Sequence, residues 1–230
     1  MAGSTLTDGT VRVGGADLAS IDTATSATST SVSPFERFSD ADVADLIREY
    51  PLAWLCPRNA ASAAPSLLPL LAETDDEGHL VALIGHMARR NPLVAGFSGD
   101  QAALILFTGP QAYVSHAQVS DPSWAPTWNY AQLRIEATIL FQPEGGDEAL
   151  RLLVEAMERD QPTGWSAAQL GERYRPMERS IIAFRAEVTS VNGRFKLGQD
   201  ETPARLKEIV ARHPDAALVR WMRRFNPRRC

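Results

Sequence analysis

Leu133, Ile135, Ala137, Ile139 and Phe141 alternate with Gln132, Arg134, Glu136 and Thr138. A period of two places every apolar member on one face, which defines a half-buried antiparallel strand and excludes a helix. Such a strand needs neighbours, and the chain offers them. Leu52–Cys56, Ser66–Leu71, His79–Ile84 and Ala103–Thr108 are short apolar runs, and Asp75-Asp76-Glu77-Gly78 reads as a turn. Ile182, Phe184, Ala186 and Val188 alternate again. Asn192-Gly193 is the strongest hairpin signal in the sequence, with Phe195 and Leu197 returning on a partner strand. Gly85 is expected to break the chain into one or two helical turns over residues 86–92.

Helical signals are peripheral to this pattern. Ser39 caps a short helix with Val43, Leu46 and Ile47 on one face, stopped by Pro51. Gly145-Gly146-Asp147 opens another, with Leu150, Leu153, Val154 and Met157 inward, ended by Pro162. A weaker helix runs from Ser166 to Arg173. Thr202 with Pro203 opens a helix through Ala211, and a last one follows Pro214. The order fits a small antiparallel barrel with helical additions, mainly β in class, rather than a βαβ sheet. No Gly-rich turn joins a strand to a helix, so a Rossmann reading fails.

The 230 residues suffice for one large domain or two small ones. Residues 1–33 are Ser, Thr, Ala and Gly-rich and are expected to be a disordered tail, leaving residues 34–230 as a single folded domain. A net charge of −5 and a pI near 5.4 argue against a surface built broadly for nucleic acid. The exception is the basic end formed by Arg220, Arg223, Arg224, Arg228 and Arg229. Cys56 and Cys230 make neither a disulfide framework nor a zinc site, and no His, Asp or Glu group has metal spacing. The absence of a signal peptide or an apolar run near 18 residues completes the expectation of a cytoplasmic protein away from membranes.

The stretch from Phe107 to Tyr130 concentrates two Trp, two Tyr, three Pro and a His. Gly109-Pro110 reads as a turn, residues 112–115 as a short strand, and His116–Pro126 as a loop, because both Pro122 and Pro126 deny helix to the preceding residue. From Trp128 a long strand begins. Aromatics at the mouth of a strand–loop–strand unit either receive a flat ring or fill a core or dimer interface, and both readings stand for Trp124, Trp128 and Tyr130.

Four blocks carry a resemblance: residues 85–92 (GHMARRNP), 109–115 (GPQAYVS), 126–130 (PTWNY) and 195–199 (FKLGQ). In this order they resemble the PaiB family of FMN-binding negative transcriptional regulators, over roughly residues 35–219. The resemblance implies an antiparallel six-stranded split β-barrel with peripheral helices and a C-terminal helical extension. It also implies FMN as cofactor, bound between the subunits of a homodimer. The chain departs from the family pattern at His116 with its short following loop, and at Gly198-Gln199-Asp200. Both lie where the family would hold flavin or substrate.

FMN requires cations or amides for its phosphate and a flat wall with edge donors for its ring. The resemblance therefore directs attention to His86, Arg89, Asn91, Tyr113, Thr127, Trp128, Asn129, Lys196 and Gln199 as cofactor-binding candidates. Arg90 and Arg194 are further cations with an equal claim to a solvated surface. His86 and His116 are the candidates for proton transfer, His116 as a feature specific to this chain. The expected activity is flavin-dependent redox chemistry on a small-molecule substrate. Three rivals remain: a transcriptional regulator reaching DNA through the Arg-rich end, a haem protein with His86 or His116 as axial ligand, and a cofactor-free protein.

Overall fold

A computed structural model describes residues 32–58, 64–162 and 164–230. The expected tail falls outside these residues except at its last two positions, as does part of the loop between the first two strands.

Six strands close into a barrel: β1 (Leu52–Pro57), β2 (Ser66–Thr74), β3 (Leu80–Ala88), β4 (Ala102–Val114), β5 (Thr127–Gln142) and β6 (Ile181–Lys196). Their order is β1-β2-β3-β6-β5-β4, every pairing is antiparallel, and β1 pairs with β4 to complete the ring. Closure removes the exposed edges that an open sheet would leave. Inward residues fill the barrel: Leu55, Leu70, Leu83, Ile105, Phe107, Leu133, Ile135 and Phe184 are all essentially inaccessible. The alternation from Leu133 to Ile139 is buried on its apolar face, as the sequence predicts.

Helices cover the outside. α1 (Asp40–Glu49) carries a reciprocal capping box between Ser39 and Asp42 and buries Val43, Leu46 and Ile47. α2 (Pro92–Gly96) is a single turn. Between β5 and β6 lie α3 (Gly146–Glu158), a 3-10 segment over Ala167–Arg173, and α4 (Tyr174–Arg179). α5 (Pro203–Arg212) starts at the Thr202 cap, and α6 (Ala216–Phe225) at Asp215. Trp221 and Phe225 of α6 stack on Phe195 of β6, with ring centroids 6.0 and 4.8 Å away.

Four local expectations are overturned, two of them for one reason. β6 runs straight through Asn192-Gly193, which pair with Arg134 and Leu133 of β5, so no hairpin forms there. A Cβ on Gly193 would lie 2.8 Å from both Phe195 and Phe38, so glycine serves close packing rather than a turn. Gly85 likewise sits inside β3, where a Cβ would meet Leu70 at 2.5 Å and Phe184 at 2.8 Å. His86 is consequently a strand residue, and Arg89 and Arg90 occupy the turn that follows. Gly109-Pro110 lies within β4 at a register shift between Thr108 and Gln111 rather than at a turn. A bulge is one of the few places a sheet accepts proline. Finally, Met157 of α3 is exposed instead of inward, and Gly146 and Ala149 form that helix's buried face.

Candidate functional site

The candidate residues separate into two groups. His86 pairs with Ala183 near the start of β6, which is also opposite Gln142 at the end of β5. Lys196 at the far end of β6 pairs with Tyr130, and Trp128 of β5 pairs with Tyr113 of β4. His86, Arg89 and Asn91 therefore occupy one end of the barrel wall. Tyr113, Thr127, Trp128 and Lys196 occupy the other, and the fold keeps the two groups apart.

At the Lys196 end, the ammonium donates to Thr127 Oγ1 at 2.5 Å and to the Trp128 carbonyl at 3.0 Å. An ammonium has three N–H donors, so one remains for an anionic oxygen. The rings of Trp128 and Tyr113 stand 5.8 Å apart, inclined by 58°. Trp128 is 56% exposed and Tyr113 nearly as much, which leaves a flat aromatic wall open beside a half-buried cation. Arg194 is next in line, donating through Nε to the Tyr130 hydroxyl at 3.2 Å and pairing with Glu36 at 3.3 Å.

At the other end, His86 is half-buried and makes no hydrogen bond among the described residues. Burial holds its imidazole below the ordinary histidine value, so it is neutral at pH 7. Arg89 donates through Nε to the Arg179 carbonyl at 3.0 Å and through Nη2 to that of Pro143 at 2.8 Å. It thus ties the exit of β5 to the entry of β6 while keeping other N–H groups free. Asn91 caps α2, accepting from Leu93 N–H at 3.0 Å, and its amide donates to Ser66 Oγ at 3.1 Å.

Asn129 and Gln199 have other work. Asn129 is 1% exposed and its amide faces Met222 Sδ at 3.7 Å, so it belongs to the packing of α6. The Gln199 side chain accepts from Leu197 N–H at 2.7 Å and donates to the Phe195 carbonyl at 2.6 Å, sealing the turn after β6.

His116 opens the loop before β5, its Nε2 3.4 Å from the Pro122 carbonyl and its ring 6.5 Å from that of Trp124. This loop is fastened to α5 and to the turn that precedes it. Asp121 pairs with Arg205, Ser120 gives both its N–H and hydroxyl to Glu208 at 2.7 Å, and Trp124 donates to Glu201 at 2.9 Å. Hydrogen bonds from Ser123, with the Arg205 guanidinium, hold the Asp121 carboxyl down at about 2. Sequence reasoning missed these anchors because their partners lie 77 to 88 residues away.

The sequence also shows no metal spacing, yet the β2–β3 turn gathers Asp75, Glu77 and His79 with ligand atoms within 4.8 Å. Asp75 Oδ1 there accepts the backbone N–H of Glu77 and His79, which accounts for the cluster as a turn brace.

Comparison with known proteins decides the lineage. Residues 32–190 match the family described as "Putative FMN-binding domain". The chain belongs to this FMN-binding family. FMN is the cofactor the membership assigns, and the PaiB-type resemblance is confirmed. Protease synthase and sporulation protein PAI 2 of Bacillus subtilis (strain 168) is 28% identical over 148 residues, 62% of this chain and 69% of that protein. Among solved structures, the FAD and heme binding protein from Mycobacterium smegmatis superposes with a TM-score of 0.50 at 16% identity, covering 70% of this chain and 73% of that one. A flavocytochrome from Azotobacter vinelandii gives 0.48 at 11% identity, covering 70% and 69%. The mycobacterial protein shares the barrel fold, and no helix among the described residues is long and apolar enough to cross a membrane.

Proposed function

We propose that this FMN-binding split barrel is a cytoplasmic, homodimeric flavin-dependent oxidoreductase acting on a small molecule. The observation that carries the reading is the division of its site residues between the two ends of β6. A two-fold axis that brings the His86–Arg89 end of one copy to the Lys196–Trp128 end of the other unites the two groups. Two composite sites result from one interface.

The barrel exterior supports this assembly. Leu52 and Trp54 on β1, Leu67 on β2, and Tyr113 and Trp128 on β4 and β5 are all large, apolar and exposed, Trp54 by 47%. Trp54 lies opposite both Leu67 and Leu106, so an apolar strip runs across β2, β1 and β4. Monomeric proteins seldom leave such a face in water, and a second copy covers it.

The residues present fit the cofactor. Lys196 supplies a cation with a free donor, Arg89 a guanidinium with free donors, and Trp128 with Tyr113 a flat wall. When bound, FMN supplies the electron and hydride chemistry. The chain's part is to fix the phosphate, exclude water from the ring through the aromatic pair, and present the neutral imidazole of His86 as a proton acceptor at its one unprotonated nitrogen. His116 serves the substrate side, held in place by the loop's attachment to α5.

The Arg-rich end offers a regulator fewer free cations than its sequence suggests. Arg220 is paired with Glu49 at 2.6 Å, Arg224 with Asp42 and Asp45 at 2.6 Å, and Arg229 binds the carbonyls of Gln199 and Glu201. Three of the five basic residues thus fasten the C-terminal helix to α1 and to the turn after β6. The visible spectrum of protein purified without added cofactor, followed by FMN and haem titrations, tests the proposal. Paired flavin bands or saturable FMN binding are expected. A Soret band would transfer the assignment to haem, and a colourless protein binding neither would overturn the redox reading.

A further inference from the structure

The segment between β5 and β6 builds a cavity that the barrel does not need. It measures about 350 Å³ and lies between α3 and the 3-10 segment, lined by Val154, Trp165, Ala167, Ala168 and Tyr174 with Asp147, Arg151 and Glu155 at its rim. The two alanines leave the space, and Trp165 forms an aromatic wall. Its indole N–H makes no hydrogen bond among the described residues. Tyr174 is fixed by donating to Asp147 Oδ1 at 2.8 Å.

Size and charge limit the occupant. A dry apolar cavity of about 150 Å³ accepts benzene, so this one has room for a two-ring aromatic. At the rim, Arg151 is held between Glu148 at 2.7 Å and Glu155 at 2.6 Å. One guanidinium thus answers two carboxylates, and Asp147 adds a third negative charge. The surplus is negative, which favours an amine and repels a carboxylate or phosphate. FMN, a dianion at its phosphate, is the wrong ligand for this cavity.

We infer that the α3–α4 module is a second small-molecule site, distinct from the flavin site, that takes a two-ring aromatic amine. Its lining residues share none of the flavin-site candidates, so the inference stands independently of the redox reading. The module is still tied to the barrel, since Arg89 binds the carbonyls of Pro143 and Arg179 on either side of it.

Calorimetric titration of the full chain with tryptamine, indole and indole-3-acetate holds the ring constant while varying charge. Saturable one-to-one binding of tryptamine is expected, about tenfold tighter than indole-3-acetate, as a nearby charge in a partly wet site provides. Ala167→Phe, which fills the cavity, and Trp165→Ala, which removes its wall, should each weaken tryptamine at least about tenfold. Both are judged only with far-UV circular dichroism matching the parent, and either suffices if the other misfolds. No saturable binding by any of the three probes, tightest binding by indole-3-acetate, or undiminished binding in the folded variants would overturn the inference.

Discussion

His86 and Lys196 stand at opposite ends of the same wall: His86 is paired with Ala183 of β6, and Lys196 lies thirteen residues further along that strand. At about 3.3 Å per residue this is roughly 40 Å of strand, too far for one cofactor to touch both within a subunit. The proposed site therefore depends on a second copy.

Lys196→Ala should weaken FMN binding by about ten- to a hundredfold, the range for losing a charge-assisted hydrogen bond. Its melting temperature should stay near that of the parent, because the ammonium is half-exposed and bonds only to Thr127 and a neighbouring carbonyl. Arg89→Ala should weaken FMN and also lower the melting temperature, since it removes the tie between Pro143 and Arg179. FMN titration beside thermal melting separates the two, and unchanged affinity in both variants would sink the phosphate assignment.

Trp54→Glu combined with Leu67→Asp places charges opposite one another on the exposed sheet face. Sedimentation should show a dimer for the parent and a monomer for the variant, with FMN affinity lost alongside. A parent that sediments as a monomer contradicts the assembly.

Gly193→Ala should destabilise the protein by about 1–3 kcal/mol, the usual cost of overpacking a core. A Cβ there meets Phe38 and Phe195, and β6 has no turn to relieve it. Denaturant melts measure this. A neutral effect would restore the hairpin reading of Asn192-Gly193.

Acid should release the loop after β4. Asp121 has its pKa depressed in the folded state, to about 2, so its contribution is complete above the unfolded value and is lost as pH falls through about 2. Trp124 fluorescence should report loosening between about pH 4 and pH 2. Asp121→Asn should abolish that transition, and its persistence would place the acid-sensitive group elsewhere.

Much of the fold is written locally. The alternation from Leu133 to Ile139, the Ser39 and Thr202 caps and the loop enforced by Pro122 and Pro126 each follow from neighbours in sequence. The misread glycines fail for the opposite reason. Gly85 and Gly193 are dictated by Leu70, Phe184 and Phe38, which tertiary packing brings against them, and no local pattern distinguishes that from a turn. The four blocks direct attention to the candidate regions, but only the strand register shows that these divide between the two ends of β6. Asn129 and Gln199 pack α6 and seal a turn through partners the sequence does not place beside them, Met222 and the backbone of Phe195.

The most direct measurement is complementation between two defective subunits. Arg89→Ala and Lys196→Ala homodimers should each bind FMN weakly. Mixing them after partial unfolding and reassociation should restore parental affinity at about one site in four, because each heterodimer then holds one intact composite site. Restoration in that proportion is the result the shared site predicts. Two weak populations that stay weak on mixing would contradict it, and would return the cofactor to a single subunit.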